Sequence, residues 1–198
     1  MIARLVKLFT DPRGYWTEVI AQPGDIKQLL VPQMLILAGV PALALFLGLI
    51  LTFGRWGFGS AAMGALLQLL LSYPLSLLTW IGLGYIIDGL APSFAAQKAI
   101  GQSMKLAAGT IIPMWLGGIL HLTGIPYLGV AGSLAGLAYG GYVLYLGLPT
   151  MNGTAPEKAV GYTAATIGIL FVVSMLVLVV AGCPANCLLR ASLTRLPY

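Results

Sequence analysis

Residues 29–53 read LLVPQMLILAGVPALALFLGLILTF, a run with no ionisable side chain anywhere in it. A hydrocarbon layer about 30 Å thick needs roughly 20 such residues in an α-helix, the one single-segment structure that satisfies its own backbone hydrogen bonds where water is absent. The run predicts a transmembrane helix. Four more apolar runs follow, at 61–87, 104–122, 126–150 and 161–182, none with an ionisable residue near its centre. The breaks between them are 54–60, polar loops at 88–103 and 152–158, and a tight hairpin at Thr123, Gly124 and Ile125. The fold class is therefore all-α, a polytopic membrane helical bundle of about five transmembrane helices.

Composition agrees. Of the 198 residues 59% are hydrophobic and 8% charged, with a mean hydropathy of +0.96, where soluble domains carry roughly 25% charged residues. A soluble globule of this size could not hide so much apolar surface. Ten Lys and Arg against five Asp and Glu give a net charge of +5. The basic residues flank the apolar runs, so the partner they imply is the lipid bilayer with its anionic headgroups, and no nucleic acid is expected.

Residues 1–28 hold seven of the fifteen charges: Arg4, Lys7, Asp11, Arg13, Glu18, Asp25 and Lys27. Ile2, Leu5, Val6, Leu8 and Phe9 alternate with Arg4 and Lys7 at roughly helical spacing, and Tyr15 and Trp16 follow a turn at 11–14. This predicts a short interfacial helix in an amphipathic cytoplasmic segment, its aromatics at headgroup depth. The first residues lack the apolar core and small-residue cleavage site of a signal peptide, so the N-terminus is expected to be retained. The organisation expected is 1–28 as N-terminal segment, 29–182 as a five-helix transmembrane domain and 183–198 as a short tail. With the N-terminus inside, Arg4, Lys7, Arg13, Lys27, Lys98, Lys105 and Lys158 share one side against Arg55, Arg190 and Arg195 on the other. The positive-inside rule then puts the N-terminus in the cytoplasm and, for five spans, the C-terminus opposite.

Ionisable groups within a membrane are costly and mark function first. Asp88 closes the second run; it faces Lys98 or Lys105 across the inner loop, helps bind a cation, or is a solvated carboxylate. His121, the single histidine, falls near the outer end of the third run, and one imidazole without further ligands builds no zinc site. Gln68, Ser72, Ser76 and Thr79 recur at spacings of four, four and three and share one helix face. They line a polar path with Asp88 at its inner mouth, or they hydrogen-bond between helices. Cys183 and Cys187 are four apart, which is not the spacing of a redox pair; they form a disulfide or remain two plain thiols. No phosphate-binding loop, nucleophile elbow, His-Glu-x-x-His or dinucleotide fingerprint occurs in a suitable context. Catalytic residues, a metal and a cofactor are all unexpected.

Glycine and proline carry more. Gly132, Gly136 and Gly140 recur every four residues, with Gly129 one turn earlier. A small-residue stripe lets backbones approach closely and drives packing where lipid removes the hydrophobic effect. The fourth run is therefore central to the bundle, or a dimer seam. Pro41, Pro74 and Pro113 each interrupt a different run, remove a helical hydrogen bond and invite a kink.

The passage Gly140-Gly141-Tyr142-Val143-Leu144-Tyr145-Leu146-Gly147-Leu148-Pro149, then a loop with Glu157 and Lys158, then Gly161-Tyr162-Thr163, resembles the bacterial branch of the Yip family. Ala108-Gly109-Thr110-Ile111-Ile112-Pro113 is similar to that family's Gly-aromatic…Pro segment, although Thr110 stands where an aromatic is expected. Leu8-Phe9-Thr10-Asp11-Pro12-Arg13-Gly14-Tyr15-Trp16 resembles its N-terminal phrase. The resemblance spans about residues 5–180. It implies five spans, a multi-pass protein of the bacterial inner membrane, a cytoplasmic N-terminus and a C-terminus on the far side. In eukaryotes the family is linked to Rab-type GTPases and Golgi organisation; this chain lacks the long hydrophilic N-terminal region of those relatives, so that role is not carried over. No catalytic residue is implied.

Two functions fit these residues. One is a non-enzymatic membrane scaffold acting through helix packing and lipid contacts, with itself as a homo-oligomer or with other membrane proteins. The other is a small transporter or channel whose path is lined by Gln68, Ser72, Ser76, Thr79 and Asp88. Known ion-coupled carriers use a charged or unwound site at the midplane, which favours the scaffold.

Overall fold

The computed structural model describes residues 2–21, 26–54 and 58–193, and every element among them is helical. Two short helices, α1 (Ile2–Thr10) and α2 (Pro12–Ile20), precede five long ones: α3 (Ile26–Phe53), α4 (Phe58–Leu90), α5 (Ile100–Gly117), α6 (Pro126–Asn152) and α7 (Pro156–Leu193). Within the long five lie helical stretches apolar and long enough to cross a membrane: Leu30–Phe53, Ala61–Phe94, Ile100–Thr123, Pro126–Asn152 and Pro156–Val177. Most of the helices overrun the apolar runs that predict them. Hydropathy marks only the stretch suited to lipid, while the backbone hydrogen bonding continues into polar flanks. The largest difference is at the C-terminal end, where α7 continues past Gly182 to Leu193. The side chains of Cys183, Cys187 and Arg190, together with Lys27, Arg55 and Arg195, lie outside the described set, so the pairing of the two cysteines is not addressed.

The loop between α4 and α5 is shorter than its polarity suggests. A 3-10 turn, Ala91–Phe94, follows α4 directly, and the Gln97 amide donates to the Asn152 carbonyl at 2.9 Å, fastening this loop to the end of α6. The α5–α6 hairpin begins with a second 3-10 turn, Gly118–Thr123, and reverses at Gly124, whose φ of +71° is left-handed. Thr52 of α3 holds that reversal, donating from Oγ1 to the Gly124 carbonyl at 2.9 Å. Pro126 then starts α6 at the position where a missing N–H goes unnoticed.

Packing centres on α5, in which every residue from Leu106 to Pro113 is buried. The glycine stripe of α6 lies against it. A Cβ at Gly136 would collide with the Pro113 carbonyl oxygen and sit 2.6 Å from Met114 Cα. One at Gly140 would collide with the Thr110 carbonyl oxygen, one at Gly132 with that of Gly117, and one at Gly129 with the His121 ring. The stripe is thus occupied within the chain, backbone against backbone. Pro41, Pro74 and Pro113 all lie inside continuous α-helices, as do Pro32 and Pro149.

The N-terminal segment differs from its sequence reading in two respects. It is two helices broken only at Asp11, whose carboxylate caps α2 by accepting from the Gly14 amide at 2.9 Å. A Lys7–Glu18 ion pair closes the hairpin. Trp16 is also not at a headgroup surface. It is fully buried, donates from Nε1 to the Val143 carbonyl at 2.9 Å, and fills a slot over Gly109 and Gly147. Gly109 is nine residues into α5, about 14 Å along the axis at 1.5 Å per residue. Tyr139 reinforces the junction, stacking on Phe9 at 5.2 Å and donating to the Leu8 carbonyl at 3.1 Å. Lys105 donates to the Val19 carbonyl near the end of α2 at 3.2 Å, a favourable place for a cation. Burial pushes the Tyr15 phenol up to about 12, with Arg4 opposing the shift.

If the α5–α6 contact sets the core, Gly136→Leu should destabilise the protein by about 3 kcal/mol or more, since the obstacle is backbone that cannot rotate away. Leu146→Ala, half-buried beside the core, should lose only about 1–2 kcal/mol. Thermal unfolding of the purified variants in one detergent checks the order.

Candidate functional site

Four of the five polar-path residues come together. Gln68, Ser72, Ser76 and Thr79 of α4 line one cavity of about 180 Å³, which all five long helices enclose. Its other walls are Pro41, Ala42 and Leu45 of α3, Met114 and Trp115 of α5, His121 of the 3-10 turn, and Val130, Ser133, Leu134 and Leu137 of α6. Phe171, Ser174, Met175 and Val177 of α7 complete it. Of the three prolines singled out as kinks, Pro41 reaches this wall, Pro74 is exposed, and Pro113 turns its carbonyl to Gly136.

The hydroxyls do not bond between helices. Ser76 donates to the Ser72 carbonyl and Thr79 to the Leu75 carbonyl, each at 2.8 Å, so both turn back onto their own helix. Ser72 Oγ and Ser174 Oγ are buried and have no hydrogen-bond partner among the described residues. Gln68 is only 4% exposed, and its carboxamide makes no hydrogen bond to a described residue. His121 directs Nδ1 at the Gly118 carbonyl, 2.9 Å away, and its ring lies on the cavity wall.

Asp88 is apart from the cavity. Continuing the α4 face past Thr79 gives Leu83 and Ile87, 1% and 0% exposed, so the polar stripe ends in a hydrocarbon plug. Beyond the plug, Asp88 accepts from Ser103 Oγ at 3.3 Å, and Asn152 Nδ2 lies 3.5 Å from the same hydroxyl. Tyr162 donates to the Ile87 carbonyl in the last turn of α4. Asp88 thus ties helix ends together. The arrangement expected from sequence, with Asp88 at the mouth of the polar face, is not what these contacts form.

Sequence reading missed Ser133 and Ser174 as cavity residues. Ser174 had a signal, as the single polar side chain between 167 and 180. Ser133 had little, being one small residue among the glycines and alanines of α6. In chemical terms the cavity offers neutral donors and acceptors on an apolar wall. No carboxylate, lysine or arginine lines it, and an unpaired charge placed there would lose several kcal/mol of solvation. Among the described residues no three of His, Cys, Asp and Glu gather in a way that would hold a metal ion.

Comparison with known proteins follows this architecture. The model of the Yip1 domain family matches residues 6–178. The chain is similar to the inner membrane protein YohC of Escherichia coli K12, with 25% identity over 184 aligned residues covering 87% of this chain and 92% of that protein. The same figures hold for YohC of Escherichia coli O6:H1 strain CFT073. No solved structure matches.

A buried carboxamide without partners is a stability defect, worth about 1–3 kcal/mol. Gln68→Leu should therefore raise the thermal midpoint in detergent while oligomeric state and yield stay unchanged; a lowered midpoint would mean that Gln68 supports the fold.

Proposed function

The chain belongs to the Yip1 domain family, and from that premise we propose that it works as a non-enzymatic membrane scaffold that contacts lipid and other membrane proteins. The observation that carries this reading is the plug below Thr79. A conduit needs its polar face to cross the bundle, whereas the α4 face turns to Leu83 and Ile87, both fully enclosed. The glycine stripe is consumed by α5, which leaves the outward apolar faces as the surfaces for association. These include Leu43, Leu47 and Leu51 on α3 and Val172, Leu176 and Val179 on α7, each substantially exposed.

Location in an inner membrane, with the N-terminus cytoplasmic and the C-terminus opposite, goes with this reading. The seven-to-three distribution of Lys and Arg supports the orientation, and the similarity to YohC, an inner membrane protein of Escherichia coli, supports the location. The absence of a charged pair or nucleophile–base arrangement in the cavity supports a role without catalysis.

Two measurements test the proposal together. A photocrosslinking residue placed at Leu47 or Val172 in native membranes should give discrete protein adducts, while proteoliposomes should pass small neutral solutes and ions no faster than empty vesicles. Solute flux that Ala42→Phe abolishes by filling the cavity would instead establish the transport reading.

A further inference from the structure

We propose that the cavity is a binding site for a small neutral amphiphile from the bilayer: an apolar chain ending in a hydroxyl or primary carboxamide, with about seven heavy atoms inside the cavity and any remainder trailing toward lipid. This goes beyond the scaffold role and does not depend on it.

The size follows from volume. A cavity of about 150 Å³ lined by aliphatic and aromatic side chains accepts benzene, and this one measures about 180 Å³. The polarity follows from the wall. Trp115, Leu137, Phe171 and Met175 present hydrocarbon, while the Ser72 and Ser174 hydroxyls are buried without a partner among the described residues and the Gln68 carboxamide stands beside them. Such groups are retained in a bundle only at a loss of stability, unless something hydrogen-bonds them. A hydroxyl or carboxamide both donates and accepts, matching the Gln68 carboxamide and the two serine hydroxyls. A charged head is disfavoured, since among the described residues no carboxylate, lysine or arginine lines the cavity to pair with it.

The route of entry is lateral. Val130 and Leu134 of α6 and Phe171 and Met175 of α7 line the cavity and are also 37–43% exposed, so its open side lies between these two helices, at the surface that faces lipid. The opposite wall, where α5 meets α3, is closed, with Trp115 3% and Ala42 2% exposed. A ligand arriving this way is one already partitioned into the membrane, its head turned inward to Gln68.

The test uses the full chain in proteoliposomes and the diazirine analogue of octanol as photoprobe, with adducts mapped by mass spectrometry. Adducts should concentrate on Phe171, Ser174 and Met175, and octanol should displace them at about one-tenth the concentration that octane needs, the value of roughly one buried hydrogen bond. Octanoate and octylammonium should not compete. Gln68→Leu and Ser174→Ala should each reduce cavity labelling at least fivefold and leave labelling of the lipid-facing Leu47 unchanged, which separates loss of the site from loss of the fold. Equal competition by octane, or labelling spread evenly over lipid-facing positions and unaffected by Gln68→Leu, would overturn the proposal and leave the cavity a void filled by acyl chain. Neither outcome touches the scaffold reading, which rests on Leu83 and Ile87.

Discussion

The contact on which the molecule depends is backbone on backbone: the glycine face of α6 against α5 and its 3-10 extension. In lipid no hydrophobic effect pushes helices together, so association relies on close van der Waals contact and on the groups that can reach one another once it is made. Gly136 and Gly140 allow that approach by having no Cβ where Pro113 and Thr110 turn their carbonyls. Other features follow from the separation they set. The groove over Gly109 and Gly147 is deep enough for an indole because both positions lack a side chain, and Trp16 enters it far enough to reach the Val143 carbonyl. The charged N-terminal hairpin is thereby locked to the bundle by a buried indole.

Close packing on one side leaves room on another. Near the His121 end α3, α4 and α7 leave the cavity between themselves and the α5–α6 pair. Near the other end α4 and α7 close fully, with Tyr162 stacked on Phe94 at 4.8 Å and bonded to the Ile87 carbonyl. The bundle is sealed at the Asp88 end and hollow toward the His121 end, an asymmetry opposite to what a through-going path requires. Polar side chains at depth are therefore of two kinds. Ser76, Thr79 and Thr110 are satisfied by their own helices, whereas the hydroxyls of Ser72 and Ser174 on the cavity wall, and of Thr163 and Thr166 elsewhere on α7, have no partner among the described residues.

Much of the fold was legible because its signals are local. An apolar run of bilayer length, a glycine every fourth residue and a polar residue every third or fourth each state a helix or a face without reference to the rest of the chain. Four of the five apolar runs lie inside long helices, the third passes from α5 into the 3-10 turn, and the α4 face gathers its four uncharged members into one cavity. What was illegible depends on partners far away in sequence. Trp16 reads as an interfacial aromatic because nothing near it reveals the slot 127 residues further on. Gly147, seven residues after Gly140 and so on the same face, was the available hint. Asp88 reads as the mouth of a path because it follows an apolar run, but it sits one residue past Ile87 and so points off the polar face, toward Ser103. The end of α7 could not be read from sequence because a helix past the lipid-crossing stretch is held by backbone bonds that hydropathy does not report.

The central claim is that α5 and α6 touch through their backbones inside one chain. Proton-detected solid-state NMR of the protein in bilayers reports it directly, through the Hα–Hα cross-peak between Gly136 and Met114. The account predicts a strong cross-peak that survives dilution of labelled chains into unlabelled ones, because the contact is intramolecular. A missing cross-peak, or Gly136 Hα correlations to acyl-chain protons in its place, would put the stripe against lipid and contradict the architecture described above.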